Sequence, residues 1–312
     1  LPALRATDPM AQDAKSSVLS IALMCTASAM FACVIGLTKI AGSANAPMLW
    51  FTAAAMIGSG VVLILVSHLA GKAKIILRRD VLLYGAVSGG LMVAYNAINF
   101  VSVAHVGASF VSLAFILPTL LTYTFAVLLG MDRLALSKLF AVTCGVAGGT
   151  VLARAKLGTV SGADAGWVVL AICNPMLMAI SNIYRTRFWP RGMGPLLASA
   201  LMLFLGGLLC LPVAALVDGD VSSLLSPDNL QVLVVVTALF TLQYPAFLGV
   251  QYLSGPDFLS LSGPLIGVFG AAGAFLLLNE AAPPGLVLAA ALMIGGVIVF
   301  QAALRRDHQR FA

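Results

Sequence analysis

The sequence predicts an all-α polytopic membrane protein: ten transmembrane helices, arranged as two inverted five-helix repeats around a central cavity. Three observations carry this. Of the 312 residues, 61% are apolar and 9% are charged, where a soluble domain has about 45–50% and about 25%. The apolar residues fall into ten runs, each close to the roughly 20 residues a helix needs to cross about 30 Å of hydrocarbon. The chain also matches itself at a fixed offset of 148 residues.

The offset is clearest from Gly107 to Arg133, GASFVSLAFILPTLLTYTFAVLLGMDR, which returns as GPDFLSLSGPLIGVFGAAGAFLLLNEA. Gly107 meets Gly255, Phe110 meets Phe258, Leu113 meets Leu261, and the closing acid Asp132 meets Glu280. Outside this stretch Pro47 pairs with Pro195, Gly58 with Gly206, Asp80 with Asp228, and Gly148 with Gly296. A match over so long a span without an insertion marks a tandem duplication.

The ten runs lie at about 17–40, 46–69, 81–104, 107–130, 135–153, 166–186, 194–217, 230–253, 257–279 and 284–304. The first five make one repeat, 17–153, and the last five the other, 166–304. The longest connectors, 71–80, 154–165 and 218–229, carry charged or Gly/Ser/Pro punctuation. Ala27-Ser28-Ala29 resembles a signal-peptidase box. The first run matches 165–188, however, so cleavage would delete a unit of the repeat.

Five helices per repeat is an odd number, so the halves enter the membrane from opposite sides. Charge placement orients them. With the N-terminus inside, Arg5, Lys15, Lys72, Lys74, Arg78, Arg79, Arg133, Lys138, Arg185, Arg187, Arg191, Arg305, Arg306 and Arg310 fall on the cytoplasmic side. Lys39, Arg154 and Lys156 fall outside. This positive-inside bias puts both termini in the cytoplasm, with a bacterial-type inner membrane as the setting. The net charge of +6 is then a topology signal and a contact with anionic lipid headgroups rather than a mark of nucleic-acid binding.

Pro118, Pro175, Pro212, Pro245 and Pro264 are expected to interrupt helices. Gly85/Gly89, Gly145/Gly149 and Gly263/Gly267 have the spacing that brings helix backbones close. Cys25, Cys33, Cys144, Cys173 and Cys210 all lie inside apolar runs, without a CxxC, and read as free thiols. His68, His105 and His308 form no ligand pattern, and neither a metal nor a cofactor is expected.

No carboxylate falls mid-span. Asp132, Asp257 and Glu280 sit at segment ends, which argues against the simplest ion-coupled scheme. The middle instead carries neutral polar residues: Tyr95, Asn96 and Asn99 in the third run, Asn174 and Asn182 in the sixth, Gln243 and Tyr244 in the eighth. Gln243 and Tyr244 are the repeat mates of Tyr95 and Asn96. Such amides either pair helices or line a wet substrate cavity at the repeat interface. The symmetry of the set favours the cavity, with Met30, Trp50 and Phe115 supplying apolar and aromatic surface to a cargo side chain. No His-Glu-x-x-His, Gly-x-Ser-x-Gly or Walker loop occurs, so no enzyme chemistry is read.

The two five-helix repeats, the closing pattern from Leu261 through Pro264 to Glu280, and the glycine pair Gly295–Gly296 resemble the ten-helix EamA-type branch of the drug/metabolite transporter superfamily. Within it the chain is most similar to YddG-type exporters of aromatic and other amino acids. The first copy departs by carrying Asp132 for the glutamate and by a proline displaced two positions. The resemblance implies a monomeric basket around a cavity lined by spans one, three, four, six, eight and nine. It further implies alternating access with cargo leaving the cytoplasm. Two other readings remain beside an exporter of small neutral or zwitterionic metabolites. One is a carrier of a phosphorylated or nucleotide-linked cargo, the other an intramembrane enzyme or scaffold.

Overall fold

The computed structural model describes residues 9–71, 78–132, 134–159, 162–259, 261–282 and 285–311, and among these it contains helices and no strand. In chain order they are α1 (Pro9–Ser43), α2 (Met48–Leu69), α3 (Arg79–Val106), α4 (Ala108–Ala114), α5 (Leu117–Leu128), α6 (Leu136–Leu157), α7 (Ala165–Arg187), α8 (Pro195–Val217), α9 (Pro227–Leu259), α10 (Ser262–Leu277) and α11 (Leu286–Phe311). Nine stretches among the described residues are long and apolar enough to cross a membrane, α4 and α5 together making one of them. The expected ninth run, 257–279, is shorter than its sequence suggested. α9 continues through Leu259, and α10 begins only at Ser262.

Two of the five expected proline interruptions are helix starts. Pro118 occupies the first turn of α5, and Pro264 the first turn of α10, where a missing N–H costs nothing. The break belongs to the residues before Pro118. Phe115 N bonds Ser112 O at 3.2 Å and Ile116 N bonds Leu113 O at 3.0 Å, tighter turns that separate α4 from α5. Pro175, Pro212 and Pro245 lie inside α7, α8 and α9.

Consecutive long helices run in opposite senses, so their ends form two faces. One face gathers the α2–α3, α5–α6 and α7–α8 turns, and the other gathers the α1–α2, α3–α4, α6–α7, α8–α9 and α10–α11 turns. Contacts across each face support the threading: Arg78 reaches Arg191 O on the first, and Lys39 reaches Ala104 O at 2.8 Å on the second.

Helix backbones touch where side chains are absent. α8 packs against both α2 and α3. A Cβ on Gly60 would stand 2.5 Å from Phe204 N, and one on Gly89 would stand 2.5 Å from Met202 O. The three spaced glycine pairs all serve the interior. Gly85 and Gly89 face α8, Gly145 and Gly149 face Leu120 and Leu117, and Gly263 and Gly267 press on the Phe115–Ile116 joint. Such contacts replace a hydrophobic drive that lipid does not supply. Helices that match at the sequence offset also pack on one another, α2 on α8 and α6 on α11, while α10, the match of α5, packs mainly on α4.

Gly89→Ala should therefore destabilise the purified protein by about 1–3 kcal/mol through overpacking. Gly273→Ala, with no atom within 4 Å of the new methyl, should be neutral or stabilising, since alanine favours helix. Melting temperatures of the two variants in one detergent check the contrast.

Candidate functional site

A small cavity, mostly apolar but with several polar groups on its wall, lies inside the bundle, in the half nearer the first face. Its floor is the α4–α5 joint, where the tight turn at Phe115 exposes the start of α5 and its Thr119 and Thr122. α7 supplies one wall through Met178, Asn182, Arg185 and Thr186, which recur every three or four residues and so share one stripe. α9 supplies Phe247 and Gln251, and α10 supplies Ser262, Gly263 and Ile266. Phe31 of α1 and Tyr95 of α3 complete it. The cavity offers about 70 Å³, room for a few waters and well short of the roughly 300 Å³ at which drug-sized ligand sites begin.

Arg185 is the one charged side chain among the described lining residues. Only 2% of it is exposed, although it sits a few residues from the end of α7. Its Nη2 donates to Asn182 Oδ1, its Nη1 lies 3.8 Å from Met202 Sδ, and its guanidinium lies 5.9 Å from the Phe247 ring centre. Its Nε has no partner. Among the described residues no carboxylate forms an ion pair with it. The sequence puts Arg185 on the cytoplasmic side near a helix end and Lys138 on the same side; Lys138 is 4% exposed and lies over the Tyr123 ring. Both are interior, so neither contributes to headgroup contact.

Between the cavity and the second face the bundle is closed. Asn96 Nδ2 donates to the Tyr244 hydroxyl at 3.0 Å. Asn174 Nδ2 donates to Tyr95 O at 2.9 Å and to Asn99 Oδ1 at 2.8 Å, tying α7 to α3. Aromatic rings extend the seal in edge and tilted contacts, from Phe115 and Phe247 through Phe31 and Tyr244 to Phe240, Phe100 and Phe51.

The second face is clamped by charges set on helix ends. Glu280 accepts hydrogen bonds from Ala108 N at 2.6 Å, Ser109 N at 3.0 Å and Ser109 Oγ at 2.6 Å, capping α4. Lys39 caps the end of α3 through Ala104 O. Each sign suits the dipole end it meets. Gly107 between them has a φ of +89°, and a Cβ there would lie 3.0 Å from the Glu280 carboxylate, so glycine is required twice over. Asp218 likewise caps α2 through Leu49 N at 2.7 Å. His105 bonds Asp164 at 2.9 Å and stacks on Trp167, holding α3 to the start of α7.

Of the ten residues singled out by sequence, Tyr95, Asn182 and Phe115 line the cavity. Asn96, Asn99, Asn174 and Tyr244 form the interhelical bonds behind it. Gln243 is fully buried, with neither amide atom partnered. Met30 is half-buried on α1 away from the lining. Trp50 stands on the second face, where its Nε1 donates to Gly219 O at 3.1 Å. Gln251 and Arg185, which the sequence placed in the polar sets of the eighth and sixth runs but not among the expected binding residues, are wall residues of the cavity. The signal for both was available in the stripe Asn174, Met178, Asn182, Arg185 and in the three-residue step from Tyr244 to Phe247. Among the described residues no group of three His, Cys, Asp or Glu side chains gathers to hold a metal.

No protein-family model matches the chain, and no curated protein does. Sixteen chains of solved structures do match. One, described only as the crystal structure of a protein, aligns over 92% of this chain and 97% of its own at a TM-score of 0.61 and 20% identity. That likeness is one of fold.

Removing Asn174 should leave Asn99 Oδ1 and Tyr95 O without their donor, so Asn174→Ala should cost about 1–2 kcal/mol. Gln243→Met removes two unsatisfied atoms at similar volume and should leave the protein no less stable. Thermal unfolding of both variants checks the opposite signs.

Proposed function

We propose that this protein is a membrane carrier that exports small metabolites, amino acids foremost, by alternating access. The observation that carries the reading is an interior cavity that sets a guanidinium, amides and hydroxyls on an otherwise apolar wall and is built by helices of both halves of the chain. Its walls come from the first, third, fourth, sixth, eighth and ninth spans, the six that the EamA-type resemblance puts around a cavity. Burying these hydroxyls, amides and one guanidinium in hydrocarbon is costly unless a ligand or water uses them.

Internal symmetry supports the alternating part. The packing of α1 on α9 is matched by that of α7 on α3, as expected if the halves are inverted copies that exchange under a two-fold axis. Asn96 and Tyr244, repeat mates 148 residues apart, bond each other directly, which is where residues on such an axis meet. With both termini in the cytoplasm of a bacterial-type inner membrane, the cavity lies on the cytoplasmic side of the Asn96–Tyr244 layer. The arrangement is then a cytoplasm-facing carrier closed toward the outside, active as a monomer.

A phosphorylated cargo is the second reading, favoured by Arg185. A phosphate dianion needs more positive charge than one guanidinium, and Lys39, near the end of α1, is bound at the second face.

Purified protein in liposomes should exchange labelled neutral amino acids faster than protein-free liposomes, and a cysteine replacing exposed Ser222 should be labelled from outside intact cells. Absence of exchange for every amino acid tried, or labelling of Ser222→Cys only after permeabilisation, would overturn the reading.

A further inference from the structure

Arg185 is a buried cation that the packing leaves half-used. Its planar guanidinium offers five donors in a fork suited to a carboxylate. The chain engages Nη2 through Asn182 and places Nη1 against a thioether, which is a weak acceptor, while Nε has nothing. A guanidinium without a counter-ion in such surroundings is a cost that folding alone does not explain.

Gln251 presents the complementary deficit on the same cavity. Its Nε2 donates to Thr186 Oγ1 at 3.0 Å, which fixes the amide orientation, and its Oε1 is buried without a donor. Thr186 in turn donates to Asn182 O, so Gln251, Thr186, Asn182 and Arg185 form one connected rim of α7 and α9. The residues of the cavity wall therefore include an unpaired cationic donor and an unpaired neutral acceptor, each covered in this conformation.

We infer that Arg185 binds the carboxylate of the cargo and Gln251 Oε1 its ammonium group, so that the carrier selects α-amino acids over their amides, over amines and over carboxylic acids without an amino group. The inference rests on the carrier reading above. It replaces recognition by neutral hydrogen bonds, expected from the sequence, with a full countercharge for the carboxylate. The facing rings Phe31, Phe115 and Phe247 offer apolar surface for a side chain once the cavity, sized here for a few waters, widens around a cargo, and one positive charge matches a monocarboxylate.

The test is counterflow in proteoliposomes preloaded with unlabelled substrate, using labelled phenylalanine, phenylalaninamide, 3-phenylpropionate and phosphoserine, with wild type, Arg185→Lys, Arg185→Met and Gln251→Leu. Wild type should exchange phenylalanine at least about tenfold faster than each other compound, the scale of one charge-assisted hydrogen bond. Arg185→Met should collapse the phenylalanine-to-amide ratio by about tenfold or more, with a melting temperature equal to or above wild type. Arg185→Lys should retain part of that preference. Gln251→Leu should collapse the ratio of phenylalanine to 3-phenylpropionate and spare the ratio to the amide. Equal exchange of amino acid and amide by wild type, faster exchange of phosphoserine, or an Arg185→Met variant that keeps the wild-type ratio overturns the assignment while leaving a carrier. Should Arg185→Met fail to fold, the wild-type preferences and the Gln251→Leu ratios decide it. No exchange of any compound by wild type overturns the carrier reading itself.

Discussion

A bilayer supplies no hydrogen-bond partners, so each polar group inside this bundle has to be answered by the chain or by what the chain encloses. That constraint sorts the interior into layers. At the second face, charged side chains answer helix ends: Glu280 the amides of α4, Asp218 those of α2, and Lys39 the last carbonyls of α3. In the middle, amides answer one another and a backbone carbonyl, through Asn96, Tyr244, Asn99 and Asn174. The answers are incomplete in each layer: Asn229 Oδ1 near the second face, both amide atoms of Gln243 in the middle, and Arg185 Nε and Gln251 Oε1 nearer the first face lack partners, and the last two residues stand on the wall of the cavity.

The clamp on the second face explains why that side is closed. Its contacts are made between elements of opposite halves, with Glu280 after α10 holding α4 and Asp218 after α8 holding α2. Each fixes a helix N-terminus whose free amides would otherwise be satisfied by water. Opening this face means parting acids from amides, whereas the glycine contacts of α8 with α2 and α3 leave no slack for those helices to slide.

Much of the fold was legible in the sequence because length, apolarity and self-similarity are global properties. Ten runs are enough to place helices, and the 148-residue offset is enough to say which ones correspond. The differences are local. The run 107–130 is interrupted as Pro118 led one to expect, and the discontinuity falls in the turn before it, at Phe115 and Ile116, with the ring itself in the first turn of α5. The short α10 was read as a full span because its apolar character continues into residues that α9 absorbs. For the site, periodicity located the polar stripe on α7 but could not say which members face a partner helix and which face space. Asn174 and Asn182 share that stripe, yet one ties α7 to α3 and the other borders the cavity.

The hardest residue to read was Arg185, and the reason is physical. A charge within a few residues of a helix end is ordinarily at the headgroups, because a long side chain can extend toward water. Here the side chain is turned inward and covered by Met202, Asn182 and Phe247. Its repeat mate is Leu37, which borders an apolar crevice among α1, α9 and α10. The two halves thus agree in backbone packing and differ in charge at this position. On the carrier reading proposed above, a duplicated scaffold needs symmetry to present two faces in turn, but one cargo needs one countercharge, and a second guanidinium at Leu37 would be a cation with nothing to bind. Symmetry of the helices with asymmetry of the charge is what those two requirements demand together.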